Sequence, residues 1–208
     1  MTIQETDSHF QAQATLDGAV QASGCLRTIA VSLLKIANDV RLLGSGPRAG
    51  IGELALPEVQ PGSSIMPGKV NPVIAESLVQ VCAQVIGNDE AVTQGGEWGF
   101  FELNTMMPLV GYNLIQSIDL LAAGASNFAR QCVEGIEATA QGPDSVQRGL
   151  MLATALVPEV GYDQAAAIAK AAAKSGRTIA EVAKAQTGLT DAELALILDP
   201  VAMTKPRH

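Results

Sequence analysis

The chain of 208 residues is poor in residue types that several classes of function require. Only two residues are histidines, His9 and His208, so a histidine-rich metal site or an internal Ser-His-Asp triad has little to be built from. The three cysteines, Cys25, Cys82 and Cys132, are odd in number and far apart, with no pair at metal-ligand spacing, and read as buried, reduced thiols. Aromatic residues are 3% of the chain, and Lys plus Arg number 13 against 21 acids, a net charge of −8. That balance argues against a nucleic-acid partner, which needs a concentrated cationic surface, and any anionic ligand has to be gripped locally. No uninterrupted apolar run approaches the roughly 18 residues of a membrane span. The N-terminus Met1 to Asp7 lacks a cationic-then-apolar signal, so the expectation is a soluble, cytoplasmic protein with no membrane partner. What the chain does have is 48% hydrophobic residues, which is enough for a sizeable core and too apolar for disorder.

The periodicity is helical throughout. From His9 to Leu43 there is no proline, and Leu26, Ile29, Leu33, Ile36, Val40 and Leu43 alternate in steps of three and four, which predicts a helix seam inside a bundle. Gly18 and Gly24 within that stretch suggest close helix approach, and Gly44 to Pro47 stops the helix. Residues 44 to 71 then hold six glycines and four prolines with little periodicity, the composition of a long loop, and such loops inside compact domains are usually functional or disordered. Asn71 as N-cap and Pro72 at the first helical position predict a second helix running through Leu78, Cys82, Val85 and Val92 to Gly95-Gly96. A third helical region, about 103 to 137, carries Leu114, Ile118 and Leu121 on one face, with Pro108 as a kink or a restart. Phe100, Phe101, Met106 and Met107 read as core residues near a bend. After Gln141-Gly142-Pro143 come short, alanine-rich helices at 163–175, 178–184 and 190–198, the last two opened by capping boxes at Thr178/Glu181 and Thr190/Glu193. With no convincing strand, the predicted class is all-α: a central helical-bundle segment over residues 1–140 and a small helical domain over 141–208.

The chemistry concentrates in Gly62-Ser63-Ser64-Ile65-Met66-Pro67-Gly68-Lys69-Val70-Asn71-Pro72. Two hydroxyls, one ammonium, one amide and backbone-exposing glycines lead into a helix whose free N–H groups favour negative charge, an arrangement suited to a dicarboxylate. Glu76 follows within the first turns of that helix, where it either matches the helix dipole or orients a neighbouring base. Each feature alone has an ordinary structural explanation, as a turn, a cap or a solvated lysine; the combination points to a site.

This segment resembles the signature of the fumarase/aspartase superfamily. Flanking stretches extend the likeness: His9 to Ala14, Lys35 to Arg41, Gly44 to Gly50, Phe101 to Asn104 and Val160 to Asp163. Nearly the whole chain is similar to the C-terminal half of a class II fumarate hydratase, with Gly68 and Val70 marking the fumarase/aspartase branch and Phe101-Glu102-Leu103-Asn104 the fumarase side of it. The resemblance implies a cofactor-independent, reversible hydration of fumarate to L-malate in a homotetramer whose site draws on three subunits. It implies Ser63 as catalytic base, with Ser64 as the alternative, and Ser64, Lys69, Val70 and Asn71 as substrate-binding residues. Glu76 would be the catalytic partner that orients a histidine. That histidine's motif belongs to the family's N-terminal half and is not found in this sequence: His9 does not match it and His208 is terminal. The expectation is therefore a lyase segment inactive by itself and completed by a companion N-terminal chain. An aspartase-like ammonia-lyase and a catalytically silent helical assembly fragment are the alternatives.

Overall fold

A computed structural model describes residues 4–205. They divide into two compact units, one ending at Ala138 and the other beginning at Thr139.

The first unit is a helical bundle. A short helix, α1 (His9–Ala14), is capped by the Ser8 hydroxyl, and the chain breaks at Thr15-Leu16 before the long α2 (Asp17–Leu43). The helix expected from His9 to Leu43 is thus two helices. After a loop that contains the two-residue strand β1 (Leu54–Ala55) come α3 (Val73–Glu97) and α4 (Met107–Gln131). Pro108 in the first turn of α4 marks a restart, where its missing N–H costs nothing. A 3-10 turn (Val133–Gly135) leads to β2 (Glu137–Ala138), which pairs antiparallel with β1, Leu54 opposite Ala138 and Ala55 opposite Glu137.

α3 lies in the middle of the bundle, burying Ala75, Leu78, Cys82, Val85 and Val92 between α2 and α4. The buried line of α2 is Ser23, Ala30 and Ala37, one turn-face away from the expected seam: Ile29 and Ile36 are each 49% exposed. Small residues occupy the line because α2 packs closely on α3, and the larger side chains are displaced outward. On α4 the buried stripe is Val110, Asn113, Ser117, Leu121 and Phe128, with Ile118 exposed and Leu114 only half-buried. Its polar members are tolerated because they are bonded: Asn88 Nδ2 donates to Ser117 Oγ (3.1 Å) and Gln116 Oε1 (2.9 Å) across the α3–α4 interface. Between α2 and α3, Ser23 Oγ donates to Asp89 Oδ1 (2.7 Å) and Arg27 pairs with Asp89 Oδ2 (2.9 Å). Gly18 and Gly24 approach nothing, contrary to expectation, whereas Gly95 and Gly96 lie inside α3 and do not stop it. A methyl at Gly96 would stand 2.6 Å from Val20 Cγ2, and one at Gly95 would collide with Val110. Phe100 and Phe101 are exposed, not core, and Phe101 holds a left-handed φ of +54° in the turn before α4.

Cys82 and Cys132 are buried in this unit, and burial pushes both thiols up, away from the reactive thiolate. Cys25 is exposed, a correction to the expectation of three buried thiols. Among the described residues α2 is long and apolar enough to cross a membrane by length and composition. A bundle helix meets those two criteria as readily, and α2 carries Arg27 and Lys35 near its middle, each costing about 3 kcal/mol at a bilayer centre.

The second unit is built from α5 (Gln141–Arg148), a 3-10 segment (Leu150–Leu156), α6 (Val157–Val160), α7 (Tyr162–Ser175), α8 (Ile179–Gln186), α9 (Asp191–Ile197) and α10 (Pro200–Met203). Its core of Leu152, Leu156, Ile168, Ile179, Val182 and Leu194 is wholly apolar. Both capping boxes form: Thr178 and Thr190 accept the N–H of Glu181 and Glu193, whose carboxylates accept the threonine N–H in return at 2.8 Å. Gly176, at φ +69°, closes α7 in the left-handed conformation that glycine adopts without penalty.

Candidate functional site: the serine loop

The loop between α2 and α3 is organised from its base outward. At its start Ser45 Oγ donates to Leu42 O (2.6 Å) and accepts from Ile51 N (3.1 Å), folding a first small lobe. The middle is fixed by the β1–β2 ladder and by Pro57, which packs on the backbone at Gly135. A second lobe, 58–70, projects beyond. Its neck is closed where Gly62 lies flat on the backbone of Lys69 and Val70: a Cβ at Gly62 would fall on the Lys69 carbonyl, so only glycine fits there.

That neck places Ser63 beside the Lys69 segment. Ser63 Oγ accepts two backbone N–H bonds, from Ile65 and Met66, each 3.1 Å long. Two donors converging on one hydroxyl oxygen stabilise negative charge upon it, which is what a serine base requires, since an ordinary serine hydroxyl is a very poor base. Ser64 is exposed, and among the described residues no such pair of donors reaches its hydroxyl. An open recess of about 400 Å³ is lined by Glu58, Gln60, Ser63, Gly68, Lys69 and Val70. It brings Ser63, Lys69 and Val70 together but not Ser64, Asn71 or Glu76. Glu58 was not singled out in the sequence, because an acid in a loop carries no distinguishing signal; Lys69 is the one cation among the described residues that line the recess.

Asn71 and Glu76 belong to the loop's exit. The helix begins one residue later than expected: Pro72, not Asn71, is the N-cap, and its carbonyl takes the first helical bond from Glu76 N (3.0 Å). Asn71 turns tightly, its backbone carbonyl accepting from Val73 N (2.8 Å), and its side chain does not cap the helix. Glu76 sits in the first turn of α3, half-buried, where Arg41 from the last turn of α2 reaches its Oε1 (3.3 Å). His9 is exposed on α1 and pairs with Glu5, and His208 lies outside the described residues. Among the described residues no three His, Cys, Asp or Glu side chains assemble as a metal-ligand set.

Comparison with known proteins agrees with this architecture. A family model described as lyase matches residues 1–87, and one described as the fumarase C C-terminus matches residues 152–205. The chain is 51% identical over 198 residues to a class II fumarate hydratase of Rhizobium meliloti, covering 95% of this chain and 43% of that protein. It is 50% identical to the mitochondrial fumarate hydratase 1 of Arabidopsis thaliana, covering 96% of this chain and 41% of the relative. Among solved structures, a cobalt-bound fumarate lyase:delta crystallin from Brucella melitensis superposes with a TM-score of 0.91 at 52% identity, over 98% of this chain and 44% of that one. A class II fumarase from Schistosoma mansoni gives 0.90 at 37%, over 99% and 43%. Fold and sequence thus place the chain in the all-α lyase family that includes fumarase and delta crystallin. Within that family it corresponds to the C-terminal part of the class II fumarate hydratases, spanning less than half the length of the relatives it matches.

Proposed function

We propose that the chain supplies the serine-loop wall of a fumarate hydratase-type hydro-lyase, which adds water reversibly across fumarate to give L-malate. In the dehydration direction Ser63 removes the C3 proton of malate, and the electron pair passes into the adjacent carboxylate as an aci-carboxylate. The C2 hydroxyl then leaves as water, protonated from the opposite side, and the double bond forms. Lys69 and Asn71 hold carboxylate oxygens, Lys69 also stabilising the charge that develops on them; Ser64 and Val70 line the substrate. Glu76 orients the histidine, which comes with the family's N-terminal half. Residues 1–140 belong to the shared central bundle of a soluble, cytoplasmic homotetramer, and 141–208 form its small C-terminal domain. The apolar side chains that α2 and α4 leave uncovered, among them Ile29, Ile36, Tyr112 and Ile115, support such an assembly.

The observation that carries the reading is the pair of backbone donors on Ser63 Oγ in a recess that also holds Lys69. The names of the relatives favour fumarate hydration over ammonia elimination. The test combines this chain with a polypeptide carrying the N-terminal half of a class II fumarate hydratase and follows fumarate absorbance with malate or aspartate supplied. Fumarate formation from malate that is lost in Ser63→Ala and retained in Ser64→Ala is the expected result. Preference for aspartate would reassign the reaction. No activity with any companion would leave a helical assembly fragment.

A further inference from the structure

Arg41 was not among the residues singled out for chemistry, yet it makes the contact that fixes the carboxylate of Glu76. It stands in the last turn of α2, three residues before the serine loop begins, and Glu76 stands in the first turn of α3, four residues after the loop ends. The two helices bring the side chains together across the base of the loop, with Arg41 Nη2 3.3 Å from Glu76 Oε1. A second arm of the guanidinium, Nη1, donates to Asn38 Oδ1 (3.3 Å) one turn back on α2, so the fork is held at two points. The third donor, Nε, is buried and has no partner among the described residues. A guanidinium serving only its own solvation would turn that donor to water; here its orientation follows Asn38 and Glu76 instead.

We infer that Arg41 is a positioning residue that holds Glu76 by Oε1 so that Oε2 is presented to the group Glu76 orients; this deepens the hydro-lyase reading and rests on it. The chemistry asks for such a brace. A glutamate side chain has three rotatable bonds, and a carboxylate that is to fix an imidazole must itself be fixed. Arginine suits the task better than lysine, because its planar fork engages Asn38 and Glu76 simultaneously while keeping its charge. Salt-bridge strength does not explain the pair, since both side chains are about one-third exposed and pairs of that kind contribute little to stability.

The experiment uses the assembled enzyme, this chain with a family N-terminal half, and compares Arg41→Gln, Arg41→Ala, Arg41→Lys, Glu76→Gln and the double variants of Glu76→Gln with Arg41→Gln and with Arg41→Lys. A positioning role predicts that Arg41→Gln lowers kcat by about ten- to a hundredfold with KM for malate within about twofold, as loss of a supporting shell does. Arg41→Lys is expected to recover part of that loss, and added guanidinium ion part of the loss in Arg41→Ala. Each double variant is expected to be no slower than Glu76→Gln alone, because a residue that acts only through Glu76 has nothing left to support. An unchanged kcat in Arg41→Gln, a rise in KM alone, or full additivity in either double variant would overturn the inference. Should Arg41→Gln fail to assemble, the Arg41→Lys kcat and its additivity with Glu76→Gln decide the matter by the same criteria. A wild-type assembly that hydrates no dicarboxylate defeats the hydro-lyase reading itself, and this inference with it.

Discussion

The two units bury opposite kinds of side chain. Every buried polar or charged residue among the described ones, Ser23, Asn88, Asp89, Asn113 and Ser117, lies in the bundle unit, while the core of the unit beginning at Thr139 is wholly apolar. The long helices of the bundle unit also leave apolar side chains uncovered: Ile29, Val31, Ile36 and Leu42 on α2, and Leu109, Tyr112, Ile115 and Ile118 on α4. The small unit closes its own core and satisfies its helix ends locally, through capping boxes and a glycine cap. The bundle thus draws specificity from bonded polar contacts, whereas the small unit draws it from apolar packing.

The contrast can be broken most sharply at the serine loop. Gly62→Ala places a methyl on the Lys69 carbonyl, so the neck must open and Ser63 and Lys69 must separate. Displacements of about 1 Å cost on the order of a hundredfold in rate, so kcat/KM of the assembled enzyme is expected to fall at least that far while the melting temperature holds. A smaller effect is expected in the bundle's buried polar layer. Arg27→Met leaves the Asp89 carboxylate, 5% exposed, with only the Ser23 hydroxyl, and should cost about 2 kcal/mol in denaturant unfolding. Replacing Asp89 and Arg27 together by apolar residues should cost less than Arg27→Met alone, because no buried charge then remains.

Smaller again are changes at the surface. Ile36→Glu with Ile115→Glu should lower the sedimentation coefficient of the chain by weakening self-association, with little change in helix content, whereas Leu196→Glu in the small unit should not alter it. The smallest effects belong to the caps. Thr178→Ala and Thr190→Ala are each expected to cost the small unit about 1 kcal/mol. The threonine N–H and hydroxyl hold the carboxyls of Glu181 and Glu193 below the usual glutamate value of 4.5. Their contribution is whole above that value and is lost as pH falls from it through the lower folded-state value. An acid titration of unfolding should therefore show a steeper loss in the wild type than in the double alanine variant.

Several features were legible in the sequence because their causes are local. The capping boxes form as read, since a threonine and a glutamate three residues apart need only each other. The apolar face of α3 was legible because that helix is covered on both sides within the chain, so its periodicity and its burial coincide. On α2 and α4 they do not coincide. There the larger side chains lie off the line that packs on α3, and they mislead about which line is buried. Phe100 and Phe101, read as core from their type, are exposed in the turn before α4.

At the site the division is the same. Residue types, their order, and the glycines around Ser63 were set by the sequence, and with them the family and the chemistry it implies. That Gly62 lies on the Lys69 carbonyl, and that Arg41 reaches Glu76 from thirty-five residues away, were decided by the tertiary structure. The reason is range. A cap or a turn is fixed by bonds between residues a few positions apart, whereas the neck at Gly62 and the Arg41–Glu76 pair exist only once α2, the β1–β2 ladder and α3 have fixed where the ends of the loop stand.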